Sequence, residues 1–175
     1  MMKRMVILYD TREQDTPALH RRLEGFNCPS ERQKLEYGDY SAKTVDDDGQ
    51  TISMERQVAI ERKMSLDELC QCFTSGRKRF EREFERAADD HAKIHMIVEN
   101  GSYEDLFDGK YRSKMHPNAL IASYIAWSIR YHIQLHFCKP ETTGRLIYKI
   151  LFYELKTFLE NGGWDCHARL DQTGS

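Results

Sequence analysis

The sequence predicts an α/β domain in which a central mixed sheet is flanked by helices. Short apolar runs of strand length alternate with longer segments of helical periodicity along the 175 residues, which is the pattern of a layered α/β fold. Turn residues and helix caps separate these segments. A chain of this length forms one domain. We place that domain at residues 1–162, followed by a short tail at residues 163–175.

The first elements are a buried strand and a capped helix. Residues 5–9 form an apolar run that ends at Asp10, which predicts a buried strand. Thr16 is a candidate N-cap, Pro17 suits a first helical turn and Gly25 suits the end, so we expect a helix over residues 16–23. Residues 30–35 have a weak strand pattern, and residues 41–45 a clearer one.

A hairpin follows at residues 46–49. Their sequence is Asp-Asp-Asp-Gly, and Asp-Gly favours a tight turn because it tolerates positive φ. The return strand begins near Thr51 and is predicted to continue to Arg62, which brings Asp39 close to Glu61. The EF-hand spacing and its terminal Glu are missing from the three aspartates, so we interpret them as a solvated turn.

Two helices are expected next. Ser65 with Glu68 three residues later forms a capping box, and Gly76 ends the helix that it begins. Helical spacing gives this first helix an apolar stripe of Leu66, Leu69, Cys70 and Phe73, and gives the second a stripe of Phe80, Phe84, Ala87 and Ala88.

The C-terminal half continues the alternation. Residues 94–99 and 133–137 are predicted strands, and residues 117–131 and 142–159 are predicted helices, each with a proline near its start. Residues 103–116 are polar and are expected to be a mobile loop. That loop either covers a ligand such as DNA or only connects its neighbours.

Composition excludes several classes of protein. The net charge of −2 argues mildly against indiscriminate nucleic-acid binding. No apolar run approaches the roughly 18 residues of a membrane span, so we expect no membrane partner and a cytoplasmic location. The five cysteines are scattered, which is typical of reduced thiols.

The chemistry is concentrated at the end of the strand that contains Glu61 and Lys63. Alternate residues of a strand share a face, so this carboxylate and this ammonium lie side by side. Such a pair can serve phosphodiester hydrolysis, with the carboxylate holding a divalent cation and the lysine beside the attacking water. Asp39 is the candidate second carboxylate. The alternative is an ordinary solvated ion pair, and Asp67 either faces this site or only favours a helix N-terminus.

Three consecutive cations begin the second helix. Arg77, Lys78 and Arg79 oppose the helix macrodipole, and contact with a nucleic-acid backbone is the simplest reason for that cost. Arg79 is also expected to form an i,i+4 ion pair with Glu83.

Taken together, these residues resemble the signature of the XPF/Mus/Hef family of structure-specific endonucleases. The matching elements are Gly38-Asp39, Glu61-Arg62-Lys63 and Asp67, with Asp10-Thr11-Arg12-Glu13 as a further match. Arg79-Phe80 with Glu83 is similar to a following element in which the family usually has Gln instead of Glu83, so the role of Glu83 stays open. The resemblance implies the restriction-endonuclease-like nuclease fold.

The resemblance also implies the roles of the site. Asp39 and Glu61 would bind Mg²⁺ or Mn²⁺, with Asp10 contributing directly or through water. Lys63 would orient the attacking water, and Asp67 would hold Lys63 or a metal-bound water. The residues that would contact DNA are Arg12, Arg62, Arg77, Lys78 and Arg79.

The implied activity is cleavage of branched DNA, such as flaps, forks and junctions, in repair or recombination. The family's tandem helix-hairpin-helix domain is not expected here, and a stand-alone domain is similar to short nucleases of phage and mobile elements. The helices at residues 117–131 and 142–159 would either form a homodimer or only cover the sheet. The alternatives are a pseudonuclease that binds DNA or a partner, and a nuclease acting on RNA or linear duplex.

Overall fold

A computed structural model describes residues 5–162 of the protein as a single mixed sheet covered by helices on both faces. The strands are β1 (Val6–Tyr9), β2 (Ser30–Arg32), β3 (Tyr40–Val45), β4 (Thr51–Ser53), β5 (Val58–Lys63), β6 (Lys93–Glu99) and β7 (Ile133–Cys138). The helices are α1 (Pro17–Glu24), α2 (Leu66–Phe73), α3 (Arg77–Asp89), α4 (Tyr103–Asp108), α5 (Pro117–Tyr131) and α6 (Pro140–Glu160).

The sheet places β5 near its centre. The strand order is β2-β1-β3-β5-β6-β7, and β4 pairs with the outer part of β3. Strands β1, β3 and β5 are antiparallel neighbours, whereas β5, β6 and β7 are parallel. The predicted central mixed sheet is therefore confirmed. Parallel strands end at one edge of a sheet, so the residues that follow β5, β6 and β7 share an edge.

Two apolar layers cover the sheet. On one face, α2, α3 and α5 bury an aromatic cluster in which the Trp127 ring lies 4.8 Å from Phe73 and 5.6 Å from Phe84. On the other face, α6 contributes a stripe of Ile147, Leu151 and Leu155 at i,i+4 spacing. β5 is buried on both sides, because Val58, Ala59 and Ile60 are each 0% exposed. A charged residue on this strand is thus fixed by packing on both faces.

The structure corrects three of the predicted elements. The return strand is not continuous: β4 ends at Ser53 and a turn precedes β5, with Gln57 and Val58 both donating to the Met54 carbonyl. Residues 103–116 are not simply a loop, because α4 occupies Tyr103–Asp108 with Ser102 as its cap. α6 begins at Pro140, two residues before the predicted start.

Within residues 5–162, no helix is long and apolar enough to cross a membrane. The four cysteines in this range are free thiols: Cys28, Cys70, Cys72 and Cys138. The predicted tail at residues 163–175 lies outside the described residues.

Candidate active site

Antiparallel pairing of β3 with β5 brings Asp39 and Glu61 together. Tyr40 is the partner of Ile60, so the residue before β3 faces the residue after Ile60. The Asp39 N–H donates to the Ile60 carbonyl at 2.7 Å, and the Asp39 carbonyl accepts from the Asp10 N–H at 2.9 Å. These two main-chain bonds fix Asp39 between β5 and the end of β1, and the first of them makes the predicted convergence with β5.

The residue before Asp39 has to be a glycine. Gly38 has φ of +70°, and a Cβ there would lie 2.8 Å from the Ala59 Cβ and 3.0 Å from the Ile60 carbonyl oxygen. A side chain would meet both a left-handed backbone conformation and a direct clash. The glycine of the Gly38-Asp39 pair therefore allows this turn to approach β5 closely.

The side chains of Asp39, Glu61 and Lys63 form the centre of the site. One Asp39 carboxylate oxygen accepts from the Arg62 N–H at 2.8 Å. The Lys63 ammonium donates to the Glu61 carboxylate, and both side chains are buried. The Lys63 nitrogen also lies 4.0 Å above the Phe80 ring centre, so the lysine is held between an aromatic face and a carboxylate.

Burial and like charge make these carboxyl groups hard to ionise. Burial, followed by repulsion from Glu61, raises the pKa of Asp39 well above its usual value. Burial also raises the pKa of Glu61. The Lys63 charge partly offsets this rise, and repulsion from Glu83 adds a smaller one. Burial opposes the charge on Lys63, but its hydrogen bond to Glu61 and the combined attraction of Glu61 and the neighbouring groups, Asp39 among them, outweigh burial and raise the pKa of the ammonium. A bound cation would relieve this repulsion between carboxylates.

These residues open into a cavity of about 240 Å³, which we name the acidic cleft. It adjoins a larger groove of about 650 Å³, and the two share Glu13, Arg62 and Glu68. The acidic cleft is lined by Glu13, Asp39, Glu61, Arg62, Lys63, Glu68, Gln71, Arg79 and Phe80.

The oxygen donors of the cleft suit a hard divalent cation such as Mg²⁺ or Mn²⁺. Across residues 5–162, no group of three or more His, Cys, Asp or Glu side chains lies close enough together to hold a metal ion. Asp39 and Glu61 are thus the two protein ligands on which such an ion would depend, and water or a substrate oxygen would complete its shell. These carboxylate oxygens fit the implied divalent metal. In this structure the Glu61 carboxylate accepts a hydrogen bond from the Lys63 ammonium.

Asp10 lies behind the cleft and not among its lining residues. It is 0% exposed. One carboxylate oxygen accepts from the Arg12 N–H at 2.7 Å and from Arg12 Nε at 2.6 Å, and the other accepts from the Leu35 N–H at 2.7 Å. One oxygen therefore stabilises the turn that follows β1, and the other joins it to the segment that follows β2.

Asp67 also points away from the cleft. Its carboxylate accepts from the N–H groups of Arg112 and Ser113, each at 2.8 Å. No hydrogen bond joins it to Lys63 in the described part of the chain. The expected contact between Asp67 and Lys63 is not made. Lys63 is paired with Glu61, and Asp67 binds the segment that follows α4.

The five predicted DNA-contacting cations differ in accessibility. Arg62 is largely buried and pairs with Glu99 at 3.2 Å, and its Nε atom has no hydrogen-bond partner among the described residues. Arg12 is 60% exposed at its side chain and donates to the Gly38 carbonyl at 3.2 Å. Arg77, Lys78 and Arg79 are exposed at the start of α3. Arg79 lines the acidic cleft.

Three further carboxylates lie near the site, and the sequence assigned a role to none of them. Glu13 lines the cleft, and its Oε2 accepts from Arg22 at 2.7 Å and from Tyr40 at 2.8 Å. Glu83 is buried and accepts from the Gly38 N–H at 2.8 Å, so the expected ion pair with Arg79 is wrong. Glu99 ends β6 beside Arg62. Glu13 was visible as the last residue of the Asp10-Thr11-Arg12-Glu13 match, and Glu83 as an acid within an apolar helical stripe, whereas Glu99 had no such signal.

An α/β domain with two carboxylates and a lysine at the end of a central strand belongs to the restriction-endonuclease-like class. The ERCC4 domain family matches residues 9–150, and the chain belongs to this family, whose members are nucleases that act on DNA. A comparison with curated proteins found no match.

Two solved structures share the fold. One is XPF from Aeropyrum pernix, with a TM-score of 0.57, 23% identity and coverage of 84% of this chain and 65% of that chain. The other is XPF from Aeropyrum pernix in complex with DNA, with a TM-score of 0.60, 23% identity and coverage of 88% and 66%. The chain thus spans slightly less than two thirds of either structure. At this identity the likeness concerns the fold, and the predicted nuclease fold is confirmed.

Proposed function

We propose that this domain is a metal-dependent endonuclease that hydrolyses DNA phosphodiesters, preferentially at branched DNA in repair or recombination. The observation that carries the proposal is the meeting of Asp39, Glu61 and Lys63 at the end of β5. Membership of the ERCC4 domain family supports a DNA substrate.

In the proposed mechanism, Asp39 and Glu61 bind Mg²⁺ or Mn²⁺. When bound, the cation supplies positive charge that activates water and polarises the phosphate. Lys63, released from Glu61, donates a hydrogen bond to the attacking water and to the negative charge that develops on the phosphate oxygens. The water oxygen forms a bond to phosphorus while the bond from phosphorus to the leaving nucleotide oxygen breaks. The proton that the water loses passes to solvent, and the leaving oxygen takes up a proton from solvent.

The remaining acids act around this centre. Glu13, rather than Asp10, faces the acidic cleft, so we assign it a contribution to the negative charge around Asp39 and not direct ligation of the cation. Asp10 acts on the site indirectly, because it orders Arg12 and the turn that leads to Glu13. Asp67 acts by attaching residues 112 and 113 to the start of α2.

The DNA backbone is proposed to run along the exposed cations at the start of α3 and past Arg12. Arg62 contributes through the groove that it lines, where its positive charge attracts a phosphate. Groups suited to base-edge readout are few along this path, so shape is expected to select the substrate. DNA bends sharply at a branch with little deformation energy, so a protein that recognises DNA shape can bind a branch selectively.

The test is cleavage of labelled flap, fork and four-way junction DNA, compared with linear duplex and with RNA, in Mg²⁺, Mn²⁺ or EDTA. Cleavage of the branched substrates that requires metal and disappears in Glu61→Gln supports the proposal. Cleavage of RNA or linear duplex alone would favour the alternative substrate classes. Binding without cleavage in every metal would favour a pseudonuclease.

A homodimer through the C-terminal helices is a second part of the proposal. Ile125 and Ile129 are 48% and 72% exposed on one side of α5, and Tyr153 is 56% exposed on α6. Exposed apolar side chains at i,i+4 spacing are typical of an association surface. Light scattering after Ile129→Asp would detect a shift from dimer to monomer, whereas a monomeric wild-type protein would reject this part.

A further inference from the structure

Glu83 is an unusual residue within α3. The other glutamates of this helix, Glu81 and Glu85, lie toward the surface near Arg130. Glu83 instead lies on the apolar side, between Phe80 and Phe84, and is 5% exposed. A carboxylate at such a position loses most of its hydration, which destabilises the fold unless other groups compensate for it.

Glu83 has no contact ion pair among the described residues, although it attracts Arg12 over a longer distance. No Lys, Arg or His nitrogen in residues 5–162 lies within 4.0 Å of its carboxylate oxygens, and its hydrogen bond is the one from the Gly38 N–H at 2.8 Å. Its charge also adds to the repulsion felt by Glu61. An apolar side chain would suit the core better, so stability of the fold does not account for this residue.

The partner of Glu83 suggests its role. Gly38 immediately precedes Asp39, has φ of +70° and is the residue with the most backbone freedom in this turn. The Glu83 carboxylate accepts from the Gly38 N–H, while the Arg12 side chain donates to the Gly38 carbonyl at 3.2 Å. The peptide before Gly38 is therefore held by Glu83 and the peptide after it by Arg12. A change in the backbone angles of Gly38 between these two peptides would move the Asp39 carboxylate.

We propose that Glu83 is a positioning residue that holds the Gly38-Asp39 turn so that the Asp39 carboxylate can bind a divalent cation together with Glu61. This inference rests on the proposed function. It concerns the acceptor oxygen of Glu83 and not direct ligation, because Glu83 is not among the residues that line the acidic cleft.

The test compares two substitutions of similar volume by calorimetric titration of the DNA-free protein with Mn²⁺. Glu83→Gln keeps an acceptor oxygen for Gly38, and Glu83→Met removes it while leaving an apolar side chain in an apolar layer. Glu85→Ala, on the exposed side of the same helix, is the control. Circular dichroism establishes that each variant is folded.

We expect Glu83→Met to weaken Mn²⁺ binding by about tenfold or more, as loss of a group that orients a ligand does. Glu83→Gln is expected to stay within about threefold of wild type, and Glu85→Ala to be unchanged. DNA affinity in EDTA should be the same in all four proteins. A merely structural role would lower the melting temperature of Glu83→Met without separating the two variants in Mn²⁺ affinity.

Three outcomes would overturn the proposal. Equal Mn²⁺ affinity in wild type and Glu83→Met would show that the hydrogen bond from Gly38 to Glu83 does not set the Asp39 position. Equal weakening in both variants would assign the effect to charge and not to the acceptor. Absence of Mn²⁺ binding by the wild type would overturn the proposed metal site as well.

If Glu83→Met does not fold, amide hydrogen exchange at Gly38 is the deciding measurement. Slow exchange in both wild type and Glu83→Gln supports the hydrogen bond from Gly38 to residue 83, and fast exchange in either protein rejects it.

Discussion

The Asp39 carboxylate accepts a hydrogen bond from the Arg62 N–H at 2.8 Å. Asp39 lies in the turn before β3 and Arg62 lies within β5, so one bond joins the two sequence elements on which the site depends. The acceptor side chain is a candidate metal ligand, and the donor is the main chain between Glu61 and Lys63. Any shift of β5 relative to β3 would therefore disturb both carboxylates at once.

The first prediction concerns the metal-free stability of Asp39→Asn. Burial and repulsion from Glu61 raise the folded-state pKa of Asp39, so its favourable contribution is complete below about pH 3.8 and is lost as pH rises through the raised value. At neutral pH in EDTA, Asp39→Asn should melt at least about 2 °C higher than wild type, since Asn can still accept from Arg62. Calorimetry measures the shift.

The same variant should lose stabilisation by Mn²⁺ and cleave DNA at least about 100-fold more slowly. Asp48→Asn, an exposed acid in the β3–β4 turn, is the control and should behave as wild type. A lower melting temperature of Asp39→Asn in EDTA would contradict the repulsion that we infer.

The second prediction separates a structural from a ligating role for Asp10. Burial opposes its ionisation, but hydrogen bonds from Arg12 and Leu35 outweigh this effect and hold the pKa below its usual value. Asp10→Asn leaves one of these buried donors without its acceptor, and we expect a loss of about 2–3 kcal/mol in unfolding free energy at pH 7. Urea unfolding measures this loss.

The sign of the pH effect for Asp10 is opposite to that for Asp39. A depressed pKa gives stability that is present above about pH 3.8 and is lost as pH falls through the folded-state value. The difference between wild type and Asp10→Asn should therefore shrink in acid. Weakened Mn²⁺ binding with unchanged unfolding free energy would instead identify Asp10 as a ligand.

The sequence predicted the fold because each main element has a local signal. The β5 segment is apolar up to Ile60, Ser65 starts α2 with Glu68 as its capping partner, and the α6 stripe repeats every four residues. The Met64 N–H even donates to Glu68 at 2.7 Å, and the Ser65 oxygen accepts from the Glu68 N–H at 3.4 Å. Such signals depend only on near neighbours.

The positions of Asp10, Asp67 and Glu83 could not be read in the same way. Each carboxylate accepts an N–H from a residue distant in the chain: Leu35, Ser113 and Gly38, respectively. Whether an acid faces a cleft or turns toward another loop depends on tertiary packing, which periodicity does not encode. The family resemblance identifies these residues but not the direction in which they point.

The third prediction concerns Asp67→Ala. Its carboxylate holds the N–H groups of Arg112 and Ser113, so its loss should release the segment between α4 and α5. Amide hydrogen exchange should accelerate at residues 112 and 113 and stay unchanged along β5. Mn²⁺ affinity should remain within about threefold of wild type, because Asp67 lies outside the acidic cleft. Weaker Mn²⁺ binding with unchanged amide exchange would instead support the expected role of Asp67 in holding Lys63 or a metal-bound water.

The last prediction concerns the cations at the start of α3. Lys78 is exposed and has no ion pair among residues 5–162, so its charge is available to a phosphate. Lys78→Ala should weaken binding of branched DNA and reduce the slope of log K against log salt by about 0.9, because one phosphate would no longer be neutralised. Fluorescence anisotropy over a series of salt concentrations measures both quantities.

Arg56→Ala provides the matched control for Lys78→Ala. Arg56 is 65% exposed at its side chain and precedes β5, at the opposite end of that strand from Lys63. Removal of one positive charge there changes the net charge equally but affects no residue on the proposed DNA path. If both variants reduced the salt slope alike, the attraction would reflect overall charge and the proposed path along α3 would be wrong. A reduction for Lys78→Ala alone would place a phosphate at the start of α3, on the side of the domain where Arg79 lines the acidic cleft.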